Sequence, residues 1–311
     1  MVAVNPVYRI LPDGSHGWVH PFHLSFEGLE KMIICRDDED CDMLVKCIFL
    51  CARKAGVLVI IYAVVSNHAH VALLALNHAI AKGFGNEVKR RYSQYFQKKY
   101  NEIKVLKGAD VNIQAIDSMY YLRNVLAYVP KNAYDNGARS LSEYKWTGFR
   151  AFFRKGEPAE RLVSVKDMPR RDWRDIFRTG DSLKDVPWKV NLQGELDPAS
   201  CCDIEYLEKA FNNDETFFLG KVGNVNVAEM NQKLVESPRK MKTDAEFIKE
   251  VEELALRWFG IPLKDMSISQ KSRLIPYVFH TNKTTVKQLA RCFGLECSHI
   301  SRLLNLDKVE R

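Results

Sequence analysis

The chain has 311 residues, 46% of them hydrophobic, with 46 Lys+Arg against 39 Asp+Glu; it is long enough for two folded units with ordinary globular cores. No apolar run approaches the ~20 residues of a membrane span, and the start, MVAVNPVYRILPDG, has no basic segment ahead of an apolar block, so neither a membrane protein nor a signal peptide is expected and the expected location is cytoplasmic. The net charge of +7 permits a polyanionic partner without demanding one.

In chain order, residues 19–26 (VHPFHLSF) read as a first strand. Residues 40–55 repeat Met43, Leu44, Cys47, Ile48 and Cys51 at helical spacing, and Gly56 stops that helix. Residues 57–65 are Val- and Ile-rich and read as a buried strand, turned at Asn67 into a third strand, 68–76. Residues 85–100 read as a helix with Val88, Tyr92, Tyr95 and Phe96 on one side, residues 111–116 as a fourth strand, and residues 119–133 as a helix capped by Asp117-Ser118. The order is β-α-β-β-α-β and then a helix, which predicts an α+β fold: a ferredoxin-like sheet with helices on one face. Residues 154–242, punctuated by prolines, read as a linker with short helices, and residues 243–311 as an all-helical region. The eight cysteines form no CxxC pair and no zinc-finger spacing, so they read as reduced structural thiols.

Asn67-His68-Ala69-His70 carries the sharpest chemical signal. Side chains alternate along a strand, so His68 and His70 present two imidazoles on one face, suited to a divalent cation completed by a third donor. Tyr128 and Asn132 are i,i+4 on a helix and share a face; a tyrosine nucleophile needs its phosphate held near a metal, and a carboxamide one turn away can supply the third ligand. Each pair alone reads more readily as a structural feature of its element.

Together these pieces resemble a known family. YAVVSNHAHVALLA is similar to the hallmark strand of the single-tyrosine HUH transposases, a His–hydrophobic–His motif behind an asparagine turn. IICRDDEDCDMLVKCI resembles that family's strand end and first helix, VKRRYSQYFQKKYN its basic central helix, IDSMYYLRNVLAYVPKNA its tyrosine helix, and EYKWTGFRAFF its tail. The subgroup most similar is the REP-associated tyrosine transposases, whose tyrosine helix carries Tyr-x-x-x-Asn-Pro. The resemblance covers about residues 16–153. Two departures stand out: Ala133 occupies the place of the family's proline, with Pro130 inside the turn instead, and the Gly-Trp segment usual before the fourth strand is absent, a loop at 101–110 taking its place.

The resemblance implies that Tyr128 is the nucleophile and that His68, His70 and Asn132 hold Mg²⁺ or Mn²⁺. It implies a substrate of single-stranded DNA with a nearby hairpin, cleaved through a 5′-phosphotyrosine link and rejoined by a 3′-OH. Relatives include monomers and dimers with exchanged tyrosine helices, which makes a second copy of the chain a candidate partner. Tyr121, two turns before Tyr128, is the rival nucleophile. A non-catalytic, domesticated transposase acting as a DNA-binding regulator is the alternative, and Pro130 favours it.

Two further segments read as DNA-binding. Lys89, Arg90, Arg91, Lys98 and Lys99 crowd the helix before residue 101, interleaved with Tyr92, Tyr95, Phe96 and Tyr100; cations meet phosphates and aromatics stack on unpaired bases. In TTVKQLARCFGLECSHISRLL, Ala290, Gly294 and Ile300 keep the spacing of a helix-turn-helix. That would aim Ser298, His299, Ser301 and Arg302 at the major groove of flanking duplex.

Overall fold

The computed structural model describes residues 2–26, 33–101, 111–136, 140–154, 156, 161–225, 244–281 and 284–304, in two compact units that divide near residue 235. The first unit opens with strands β1 (Val7–Ile10) and β2 (His16–Phe26), then helix α1 (Asp38–Ala55) and the strands β3 (Leu58–Val64) and β4 (Ala69–Ala75). Helix α2 (His78–Tyr100), strand β5 (Val111–Ala115) and helix α3 (Met119–Lys131) follow. The protein is α+β with an antiparallel sheet. Strands β5, β2, β4 and β3 pair in that order, and β1 pairs the first half of β2.

The register sorts the side chains. Ser25 pairs His70 and His23 pairs Ala72, so both histidines lie on one face, whereas Leu24, paired with Val71, points to the other. Helix α2 sits on the Leu24 face. A methyl group at Gly85 would collide with the side chains of Leu24 and Val111, so glycine is what lets this helix approach the sheet closely. Helix α1 packs beside it, with Phe49 edge-on to Tyr62 of β3 at 5.4 Å. Helix α3 covers the histidine face, its Tyr128 ring 5.2 Å from that of His70. Helices α1 and α2 of the βαββαβ unit thus share one face of the sheet, and α3, which follows that unit, lies on the other.

Local signals explain most element ends. Asp37 caps α1 by accepting the Asp40 N–H at 2.9 Å, and Gly56 closes it in the left-handed region at φ 60°. Asn77 caps α2 by accepting the Ile80 N–H at 3.0 Å, so this helix begins one turn and more before the expected residue 85. The glycines at 83 and 85 mask its first turns in the sequence. Strand β1 was not expected; its turn is set by Asp13, which accepts from Ser15 N–H at 3.0 Å and Ser15 Oγ at 2.6 Å, with Gly14 at φ 86°. Most of the loop expected at 101–110 lies outside the described residues.

The stretch read as a linker does contain short helices, among them α4 (Arg170–Phe177), α5 (Ile204–Ala210) and α6 (Glu215–Asn224), with a small hairpin of β6 (Val163–Ser164) and β7 (Lys189–Val190). It does not behave as a linker over 161–225, because these elements pack into the first unit. Phe218 is buried and stacks on Phe149 at 5.8 Å, and Arg123 of α3 donates to Ala210 O at 2.7 Å. Proline and polar spacing hid a set of short elements that bury single large aromatics rather than apolar stripes.

The second unit holds α7 (Asp244–Phe259), α8 (Ile268–Thr281), α9 (Val286–Phe293) and α10 (Cys297–Leu303). Phe247, Val251, Ala255, Leu274, Ile275, Val278, Leu289, Phe293 and Ile300 form its core. Buried Asp244 accepts from Arg291 Nε at 2.9 Å and Gln288 Nε2 at 3.0 Å, tying α7 to α9. Among the described residues no helix is long and apolar enough to cross a membrane. All eight cysteines are free thiols, and burial pushes Cys47 and Cys51 up to about 12, which keeps them unreactive at neutral pH.

Candidate active site

Chain reversal after β3 places the histidine pair. Val65 N–H donates to His68 O at 2.9 Å, so His68 ends the turn just before β4 and His70 is its second residue. Their rings lie 5.0 Å apart. From the opposite side α3 delivers Tyr128 and Asn132. The helix runs through Pro130 to Lys131, so Pro130 does not divide the pair. Asn132 serves as the cap: its Nδ2 donates to Tyr128 O at 3.0 Å and Val129 O at 3.1 Å, satisfying carbonyls that a helix end leaves open. The four residues expected at the site thus meet, with His70 1%, Asn132 2%, Tyr128 3% and His68 8% exposed.

With its amide nitrogen committed to two carbonyls, Asn132 turns Oδ1 toward His68 Nε2, 3.2 Å away, where an Nε2–H can donate to it. The other ring nitrogen, Nδ1, lies 2.8 Å from the Asn67 carboxamide. The orphaned ligand atom of the group is His70 Nε2, buried without a hydrogen-bond partner.

A residue that sequence reasoning passed over completes the cluster. His23 of β2 is fully buried and its Nε2 lies 3.2 Å from His70 Nδ1. Its ring is 6.0 Å from that of Tyr128, and its Nδ1 has no partner. Burial lowers His23 to about 3. Burial, reinforced by His68 and His23 nearby, holds His70 well below the usual imidazole range. Both rings are therefore neutral at physiological pH. The available signal was a polar residue inside an otherwise apolar strand, which is a weak sign without the pairing register.

Among the described residues, no group of three or more His, Cys, Asp and Glu is gathered to hold a metal ion. A cation here has to take its third donor from the carboxamide of Asn132. Two imidazole nitrogens and an amide oxygen are donors that divalent ions accept, and His70 Nε2 is buried with no hydrogen-bond partner, so the donor set fits a cation. The rival Tyr121 is buried as Tyr128 is, and burial, with Asp117 nearby, pushes its phenol up to about 12.

The residues expected to meet DNA fare unevenly. Lys99 is enclosed by Asp37, Glu39 and Asp40 at 2.7, 3.1 and 2.8 Å, so its charge is neutralised within the fold. Arg90 pairs with Glu87, and Arg91 donates to Arg178 O at 3.2 Å. Lys98 is exposed and Lys89 half-buried. In the second unit, Gly294 takes φ 65° and closes α9, and Ala290 and Ile300 are buried in the helix pair. Ser298 and Arg302 are exposed, Ser301 is half-buried, and His299 lies 3.4 Å from Ser272 Oγ.

No family model, no curated protein and no solved structure matches the chain.

Proposed function

We propose that the first unit is a metal-dependent, single-tyrosine nuclease and strand transferase acting on single-stranded DNA. Within that class, we read it as akin to the REP-associated tyrosine transposases, with β5-β2-β4-β3 as a ferredoxin-like sheet. The observation that carries the reading is the convergence of His68, His70 and Asn132 on the same helix-covered face as Tyr128, with His70 Nε2 buried and unpartnered and its ring 5.2 Å from that of Tyr128. An orphaned ligand nitrogen beside a tyrosine suits metal-assisted phosphodiester chemistry, whereas a packing cluster satisfies its polar atoms.

His68, His70 and Asn132 would hold Mg²⁺ or Mn²⁺, whose chemistry is to neutralise charge on the scissile phosphate. Tyr128 Oη attacks phosphorus, a P–Oη bond forms, and the P–O3′ bond breaks. The 5′ side stays on the tyrosine and a 3′-OH departs with a proton. An ordinary phenol has a pKa of ~10, so the attacking oxygen must lose its proton to a base or to solvent during attack. A returning 3′-OH reverses the step without nucleotide hydrolysis. The exposed Lys98 would meet backbone phosphates, and α10, with Ser298, His299, Ser301 and Arg302, would read flanking duplex. A second copy of the chain remains the proposed protein partner.

The burial of Tyr128, 3% exposed, favours a second reading, a DNA-binding regulator that has kept the fold and not the cleavage. Incubation with hairpin-bearing single strands and Mn²⁺ separates them. A covalent protein–DNA adduct mapping to the peptide that contains Tyr128 is expected. Hairpin binding with no adduct assigns the regulator role.

A further inference from the structure

Resting on the metal reading above, we infer that His23 is a positioning residue that sets the proton on His70, so that a cation at His70 Nε2 and a proton at His23 Nδ1 occur together.

The argument is a proton count. His23 Nε2 and His70 Nδ1 lie 3.2 Å apart, and one proton occupies that contact. Among the described residues neither ring has another hydrogen-bond partner, since His23 Nδ1 and His70 Nε2 are both buried and unpartnered. Each neutral ring carries one proton. If His23 Nε2 donates, His70 keeps its proton on Nε2 and cannot accept a cation there, while His23 Nδ1 holds a lone pair. If His70 Nδ1 donates, His70 Nε2 offers its lone pair, and the proton of His23 moves to Nδ1. The two outer nitrogens are therefore always opposite in kind, one donor and one acceptor, and a cation at His70 selects the second arrangement. Tyr128 packs against both rings, 5.2 Å from that of His70 and 6.0 Å from that of His23.

His70 is paired with a ring that can accept or donate, so the cation itself decides. Groups that orient a metal-bound histidine through its second nitrogen typically change metal affinity 10–100-fold when removed.

The test uses the full chain, with Mn²⁺ as probe for uptake and Mg²⁺ as the diamagnetic probe for imidazole nitrogen spectra. His23→Leu removes the acceptor for His70 Nδ1–H and is expected to weaken Mn²⁺ uptake 10–100-fold. His23→Gln offers a carboxamide oxygen in its place and is expected to restore uptake toward wild type, which a loss of packing alone would not explain. In the wild-type spectra, Mg²⁺ should leave both His23 and His70 protonated at Nδ1 only. Equal uptake by wild type and by a folded His23→Leu, or an Nε2–H on His70 in the Mg²⁺-loaded protein, overturns the inference and leaves the metal reading standing. No uptake by wild type at any Mn²⁺ concentration overturns both.

Discussion

Two buried polar clusters in the first unit differ in one respect, and the difference separates scaffold from site. At the foot of α1, Asp40 is fully buried and accepts from the Arg36 N–H, the Tyr95 and Tyr100 hydroxyls and Lys99 Nζ, all at 2.8–2.9 Å. Every charge and every donor there has a partner, so the cluster does no more than bind α1 to α2. On the opposite face of the sheet, His23 and His70 leave outer nitrogens unpartnered. Satisfied polar networks hold a fold together; unsatisfied ones have to be explained by something that binds.

Breaking the satisfied cluster gives the largest expected effect on stability. Asp40→Ala leaves the Tyr95 hydroxyl without its carboxylate, while Lys99 keeps Asp37 and Glu39, and loss of a buried acceptor costs about 1–3 kcal/mol. Urea denaturation reads this directly. Mn²⁺ uptake by the folded fraction should survive, because the histidine face shares no partner with Asp40. A loss of uptake greater than the loss of folded protein would mean the two clusters are one.

The histidine face should show itself through acid sensitivity. His23 takes a proton only below about 3 in the folded chain, against ~6.5 when unfolded. Between those values the unfolded state binds the extra proton, so stability is complete above ~6.5 and falls as pH drops through the window, by up to ~1.4 kcal/mol per pH unit for this ring. His70, also lowered, acts with the same sign. His23→Gln in metal-free buffer should therefore flatten the slope by one proton's worth. An unchanged slope would mean His23 is not held neutral.

The smallest effect separates two adjacent lysines. Lys98→Ala should weaken binding to single strands and reduce the dependence of log K on log salt by ~0.7 if it meets one phosphate. Lys99→Ala should leave that dependence unchanged and lower stability instead, because its ammonium is already neutralised by three carboxylates. Equal changes in salt dependence would return Lys99 to the DNA-binding set.

The contrast between clusters also explains what the sequence could reveal. His68 and His70 were legible because two identical ligand-type residues at strand spacing are conspicuous, and Tyr128 and Asn132 because helical spacing places them together. His23 was not, since its relation to His70 exists only through the β2–β4 register, which pairs residues 47 positions apart. Lys99 was misplaced for the converse reason: a basic run on a helix looks solvated until the acids of α1 are folded against it. The strands and crossover helices followed from apolar periodicity, while β1, α8 with its internal Pro276, and the short elements over 161–225 did not, because single buried aromatics leave no period to read.

The central claim is that Tyr128 is a nucleophile beside a cation site, and one comparison tests it most directly. Wild type and Tyr128→Phe are incubated with a library of hairpin-bearing single strands and Mn²⁺, then denatured and resolved for covalent protein–DNA adducts, with hairpin binding measured in parallel. The account predicts adducts for wild type, none for Tyr128→Phe, and similar hairpin binding by both, because the substitution removes a single oxygen. Adducts that persist in Tyr128→Phe would contradict it and move the role to another tyrosine, with Tyr121 the first to be tried.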